Sequence, residues 1–425
     1  MPREVVEVEG FVPRDPDAVW RILRYFSGLW HPWIDGIQAE QGPMGASIRA
    51  FTVKSEDTLY REQQTYLSDS DRTLGYTHLE GIKDCEAYDA RVTVTPAEGG
   101  CLVHWTADVT APAARLTAIC DGTRMVFTAG IQALGRAVLP ERTEVPAPSA
   151  GIETLTIGGP PRLALSVTAG PDTDRLVLFL HGIGGSRHNW AGQLGAVAGC
   201  FRAAALDLRG YGDSQLGPAQ TSVDDYCDDI LRVAKAMSAK RLVLVCLSYG
   251  SWIATSFAMR HPQMLDGLVL SGGCTGMSEA GEAEREAFRT SREVPLNVGK
   301  TPADFAPQVV QVLAGPNAGA ATRQQLFDSM AAIPVATYRD ALTCFTNPTE
   351  RFDFARLTMP VLMMTGAHDR LAPPAEIRSV AGRICAAARP ADVQFEVIAG
   401  AGHVCNVEQP EAYNRHLLQF LSRLP

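Results

Sequence analysis

Leu242-Val243-Leu244-Val245-Cys246-Leu247-Ser248-Tyr249-Gly250-Ser251 is an apolar run that stops abruptly at a serine. The run is short and bounded by small residues, as a fully buried strand would be. Trp252 to Met259 then reads as a helix. A strand that turns sharply into a helix at a serine is a nucleophile elbow, a strained turn that exposes the hydroxyl. Strand and helix approach closely there, so small side chains belong two positions before and two after the serine. Gly250 fills the second place. The first holds Cys246, where glycine is more usual. A buried structural serine is the plainer reading of such a pentad, and the rest of the chain weighs against it.

A serine hydroxyl needs a base beside it to act as a nucleophile at neutral pH. That base needs a carboxylate to fix its tautomer and to stabilise the imidazolium. Val361-Leu362-Met363-Met364 reads as a short strand running into Thr365-Gly366-Ala367-His368-Asp369. Val393 to Ile398 alternates like a strand and leads into Ala399-Gly400-Ala401-Gly402-His403. Ser248, Asp369 and His403 are therefore all expected just past strand ends. In open parallel sheets ligands bind at that carboxyl edge. Asp213 also lies in a loop, but sequence order favours Asp369 as the acid.

Leu176-Val177-Leu178-Phe179-Leu180 runs into the glycine-rich His181-Gly182-Ile183-Gly184-Gly185-Ser186. Such a loop supplies one N–H of an oxyanion hole, and the residue after the nucleophile supplies the other. These are expected at Ile183 and Tyr249. Losing one such donor costs about 3–4 kcal/mol of transition-state stabilisation. His181 is expected to brace the loop by hydrogen bonds. Ala203 to Ser214 closes the next strand with Asp207-Leu208-Arg209-Gly210-Tyr211-Gly212-Asp213-Ser214.

These motifs, in the order serine, acid, histidine, resemble the α/β-hydrolase superfamily over about residues 152–425. The 207–214 turn is similar to one common in that superfamily, where it braces the sheet. Gly402-His403-Val404-Cys405-Asn406-Val407-Glu408-Gln409-Pro410 resembles the tail of enol-lactonases and related esterases. The resemblance implies hydrolysis of a carboxylic ester or lactone, with no metal and no organic cofactor.

Composition bounds the alternatives. The chain of 425 residues is too long for one ordinary domain. Its 46% hydrophobic and 20% charged residues suit a globular protein. A formal charge of −9 and the lack of a basic run argue against a nucleic-acid partner. The acidic, alternating N-terminus does not read as a signal peptide, and no apolar stretch is long enough to predict a membrane span. Ten scattered cysteines read as reduced thiols, so a cytoplasmic protein is expected. Nothing in the sequence bears on oligomeric state.

Proline, charge and small residues mark 141–151 as a linker. Before it, residues 1–140 have a different pattern. Residues 2–11 alternate, and Asp15-Pro16-Asp17-Ala18-Val19-Trp20 opens a helix. Strands are expected near 46–53, 58–68, 73–80, 86–95 and 101–110, followed by a long amphipathic helix from Ala113 to Leu139. This order, with Trp30-His31-Pro32-Trp33-Ile34 as a loop after the first helix, resembles the helix-grip domain of the polyketide-cyclase/START-like (SRPBCC) superfamily. The resemblance implies α+β architecture, an antiparallel sheet around the long helix, and a hydrophobic ligand. His31, His78 and His104 form no motif, and packing is their plainer reading.

The stretch of about 274–348 reads as a helical cap inserted before Val361, with helices at Glu282–Arg292, Pro302–Leu313, Arg323–Ala332 and Val335–Cys344. A cap suggests a closed pocket for a small or medium apolar or aromatic substrate. The expected architecture is thus a helix-grip domain followed by a mostly parallel, doubly wound α/β-hydrolase with a cap. The expected activity is that of a serine esterase or lactonase. Rival readings are a cofactor-free haloperoxidase or perhydrolase, a bifunctional cyclase and hydrolase of secondary metabolism, and a non-enzymatic ligand-binding protein.

Overall fold

The chain follows the periodicity of its apolar residues closely. In this computed structural model residues 1–24, 26–41, 47–54, 58–137, 151–171 and 173–424 are described. Two units are distinct: Met1–Val145 with Arg389–Glu396, and Pro146–Ala388 with Val397–Leu424. The linker expected at 141–151 lies outside the described residues except for Gly151.

The first unit is an antiparallel sheet and a long helix. Its elements are β1 (Arg3–Val12), α1 (Pro16–Leu23), β2 (Ile34–Gln41), β3 (Ser47–Val53), β4 (Leu59–Ser68), β5 (Thr73–Glu80), β6 (Ala87–Ala97), β7 (Gly100–Thr110) and α2 (Ala113–Leu134). The strands pair antiparallel in the order β1-β7-β6-β5-β4-β3-β2. Helix α1 starts where the Asp15 side chain accepts the Ala18 N–H at 2.9 Å, with Pro16 preset for the first turn. Helix α2 packs on β1 and β7. Val92, Val94, Val103 and Trp105 meet Phe127, Ile131 and Leu134 in the core between them. The Trp105 and Phe127 rings stack with centroids 4.5 Å apart, and the Trp105 indole N–H donates to the Tyr76 hydroxyl at 3.0 Å. Strand β2 was not expected from the sequence. Its mixed run Ile-Asp-Gly-Ile-Gln-Ala-Glu-Gln lacks a clean alternation, and pairing with β3 supplies what periodicity does not.

The second unit opens with β8 (Ile152–Ile157), β9 (Leu163–Thr168), β10 (Arg175–Leu180), α3 (Ala191–Val197), β11 (Ala203–Leu206), α4 (Val223–Ala236), β12 (Arg241–Leu247), α5 (Tyr249–Arg260) and β13 (Leu265–Ser271). The cap follows as α6 (Glu282–Asn297), α7 (Pro302–Leu313), α8 (Ala320–Ala331) and α9 (Val335–Thr346). Then come β14 (Val361–Gly366) and α10 (Pro374–Ala387), β15 (Val393–Ile398), whose residues up to Glu396 group with the first unit, and α11 (Cys405–Glu408) and α12 (Pro410–Leu421). Strands β11, β10, β12, β13 and β14 are neighbours in that order, each pair parallel. Antiparallel β9 pairs with β11, and β8 pairs antiparallel with β9 beyond it. The parallel strands are covered on both faces, which is why they read as unbroken apolar runs. Every residue of β13 and β14 is buried. No helix among the described residues is long and apolar enough to cross a membrane.

Candidate active site

Ser248 follows β12 with φ +53° and ψ −113°, a conformation that costs a non-glycine residue about 1–3 kcal/mol. The surroundings hold it there. Its N–H donates to the Ser271 carbonyl at 2.7 Å, and its own carbonyl accepts the Trp252 N–H at 3.1 Å. Helix α5 lies so close to β10 that a Cβ on Gly250 would stand 2.5 Å from the Leu180 carbonyl oxygen. Cys246, where glycine is more usual, is fully buried, and burial pushes its thiol pKa well up.

Asp369 and His403 come from the loops after β14 and β15. The Ala367 N–H donates to the Ile398 carbonyl at 2.9 Å, and the His368 N–H to the Ala401 carbonyl at 2.9 Å, so the two loops are laced together. His403 Nδ1 lies 2.9 Å from Asp369 Oδ2, and both residues are buried. Asp369 Oδ1 accepts the N–H groups of Leu371 at 2.8 Å and Ala372 at 2.9 Å, while the Thr365 hydroxyl lies 3.2 Å from Oδ2. Burial alone would raise the Asp369 carboxyl pKa. The hydrogen bond and charge of His403 and the two backbone donors outweigh it and hold the carboxyl below its usual range. The His403 ring rests against Gly272, where a Cβ would lie 3.0 Å from the ring; φ of +58° there also suits glycine.

The glycine-rich loop after β10 abuts the elbow, since a Cβ on Gly182 would lie 3.3 Å from the Ser248 Cβ. His181 orients this loop. Its Nε2 accepts the Leu208 N–H at 3.1 Å, so Nδ1 carries the proton and donates to the Gly182 carbonyl at 2.8 Å. Burial lowers the pKa of this histidine, in keeping with a neutral ring. The Gly185 N–H donates to the same carbonyl at 3.0 Å. In a trans peptide the N–H points opposite to the carbonyl, so these bonds aim the Ile183 N–H away from the His181 ring. Tyr249 opens α5, and an N–H in the first turn of a helix has no intrahelical acceptor.

Ser248, His403, Ile183 and Tyr249 line one cavity of about 380 Å³. Asp369 sits behind His403. The cap helices contribute Phe288, Val309, Leu313, Leu326, Met330 and Phe345 to the wall. Asp213 is bound elsewhere, 2.6 Å from Arg187, which also pairs with buried Asp207. His368 is exposed. In the first unit His31 Nε2 lies 3.0 Å from the Val126 carbonyl oxygen, and His104 Nε2 lies 2.6 Å from Glu7.

Sequence reasoning missed Glu408. Its buried carboxylate accepts the N–H groups of Gly315 at 2.6 Å, Gly402 at 2.9 Å and Val404 at 3.2 Å. The His403 N–H donates to the Leu313 carbonyl at 2.7 Å. The histidine loop is thereby fastened to the end of α7. An acid five residues after the histidine was the available signal, masked by its place in a helical run.

The fold and this cavity define an enzyme of the α/β-hydrolase class. Residues 175–410, more than half of the chain, match the family model described as alpha/beta hydrolase fold, and the chain belongs to that family. Residues 3–138 match the model described as polyketide cyclase / dehydrase and lipid transport. The 2-succinyl-6-hydroxy-2,4-cyclohexadiene-1-carboxylate synthase of Serratia proteamaculans is 27% identical over 270 residues, 61% of this chain and 98% of that protein. A thermophilic esterase from Thermogutta terrifontis is 25% identical with a TM-score of 0.55, covering 64% of this chain and 99% of its own. The enol-lactonase from Burkholderia xenovorans LB400 is similar in fold, with a TM-score of 0.51 at 18% identity over 62% of this chain and 97% of its own. The family model and the esterase support hydrolase chemistry, and the enol-lactonase shows the fold.

Proposed function

We propose that the chain is a serine hydrolase that cleaves a carboxylic ester or lactone of a small to medium apolar or aromatic substrate. The observation that carries this reading is the 2.9 Å contact of His403 Nδ1 with Asp369 Oδ2, behind a cavity that His403 shares with the strained Ser248. The substrate carbonyl oxygen faces the N–H groups of Ile183 and Tyr249. His403 Nε2 takes the Ser248 proton as Oγ attacks the carbonyl carbon. Asp369 stabilises the imidazolium, and the two N–H groups stabilise the oxyanion. The alcohol leaves with the proton from His403. Water, deprotonated by the same histidine, then attacks the acyl-enzyme and releases the acid and Ser248.

In the same reading residues 1–140 form a unit that binds a hydrophobic ligand, 141–151 a linker, and 152–425 the catalytic domain. The matched family description supports the ligand. The test of the hydrolase is a panel of esters and lactones varying in acyl length and aromaticity, run on the wild type and on Ser248→Ala. The variant is expected to fold and to lose hydrolysis. Full retention of activity would remove the mechanism. A wild type that oxidises halide with peroxide and acetate, but cleaves no ester, would favour a perhydrolase.

A further inference from the structure

Cap helix α6 presents Glu284, Phe288 and Arg292 to the cavity, four residues apart each time. Arg292 is half-buried. Its guanidinium lies 3.5 Å from the centroid of the Phe288 ring. Nη1 donates to the Phe288 carbonyl and to the Ser291 hydroxyl, both at 3.0 Å, and buried Tyr338 lines the same cavity. No carboxylate among the described residues pairs with it. Arg187, Arg209 and Arg260 each hold two carboxylates, and half-buried Arg285 and Arg323 bond backbone carbonyls away from the cavity, whereas Arg292 stands on the cavity wall. A guanidinium drawn out of water without a counter-charge is costly, and burial lowers the pKa of Arg292 accordingly. A carboxylate delivered by a ligand would meet that deficit with paired, charge-assisted hydrogen bonds.

The acids in the same cavity lie in other company. Glu284 and Glu376 also line the cavity, and both are exposed. Glu284 stands two turns of α6, about 12 Å, from Arg292. The cavity thus has a half-buried cation at Arg292 and exposed acids at Glu284 and Glu376. Arg370 also lines it but is exposed.

We infer that Arg292 and Tyr338 form a carboxylate-binding end of the cavity, so that the preferred substrate is an ester or lactone bearing a second, free carboxylate. The inference deepens the hydrolase reading and rests on it for the reacting group, while its binding half stands alone. The probes are 4-acetoxybenzoate and its neutral counterpart 4-acetoxybenzamide. Calorimetric titration of the Ser248→Ala protein is expected to show the anion binding at least ~10-fold more tightly. Adding Arg292→Met should remove that preference, Arg292→Lys should restore part of it, and Arg370→Met should leave it in place. In proteins retaining Ser248, Arg292→Met should lower the anion-to-neutral ratio of kcat/KM by about the same factor, chiefly through KM. Equal binding of the two probes, equal losses for both on Arg292→Met, or a preference that follows Arg370 would overturn the inference. Carboxylate preference in binding without hydrolysis would sink the hydrolase reading and leave the anion site standing.

Discussion

Asp369 and two cysteines show how environment decides the state of a side chain. The Asp369 carboxyl is held below its usual range, so folding favours its charged form. That contribution to stability is complete above the ordinary carboxyl pKa of about 4 and is lost as pH falls through the lower folded value. Asp369→Asn should therefore narrow the loss of stability between pH 5 and pH 2, read as denaturation midpoints of the two proteins. In the proposed mechanism it should also lower kcat by roughly 10⁴-fold, because the amide cannot hold the required tautomer. Cys246 and Cys405 lie two residues from Ser248 and His403, which makes them tempting targets for alkylation. Both are fully buried, and burial pushes both thiols up. The thiolate is the reactive form. Iodoacetamide at pH 7.5 is expected to spare activity and both cysteines and to modify exposed Cys200 first. Peptide mapping that finds Cys246 modified in the native protein would contradict this.

Elements place the site by lacing loops together. The positions of Ser248, Asp369 and His403 were legible because each apolar run ends at a loop of small residues, and parallel strands bring such ends to one edge. Cap helix α7 was legible from Pro302 to Leu313, whereas α8 begins at Ala320, three residues before the expected Arg323. Gly319 is the N-cap but has no side chain to cap with, the alanines after it add no apolar period, and α8 packs against α7. What sequence did not reveal is the fastening between elements. Glu408 joins three backbone donors from two segments far apart in sequence, Gly315 and Gly402–Val404, a convergence no local pattern encodes. Glu408→Ala strands three buried N–H groups and should cost about 3 kcal/mol in a denaturant titration. It should also lower kcat by on the order of 100-fold through misplacement of His403. Unchanged stability with unchanged kcat would show that the loop holds itself.

At the scale of the whole molecule, two patterns of hydrophobicity announced two architectures. Alternating strands closed by one long helix gave the first 140 residues their class, and unbroken apolar runs separated by helices gave the rest theirs. Chemistry is distributed less evenly. Serines occur throughout both units, yet nucleophilicity demands a base, a fixed tautomer and oxyanion donors around one hydroxyl. Strained Ser248 lines one cavity with Ile183, Tyr249 and His403, and His403 contacts Asp369, the setting that the proposed mechanism uses. A fluorophosphonate should accordingly add one phosphonyl group per 425-residue chain, seen by intact mass, and digestion should place it on the peptide containing Ser248. Ser248→Ala should take up none. Labelling elsewhere in the α/β-hydrolase unit would move the nucleophile. A second label within residues 1–137 would give the helix-grip unit hydrolytic chemistry of its own, and with it a bifunctional enzyme in place of a catalytic domain joined to a binding one.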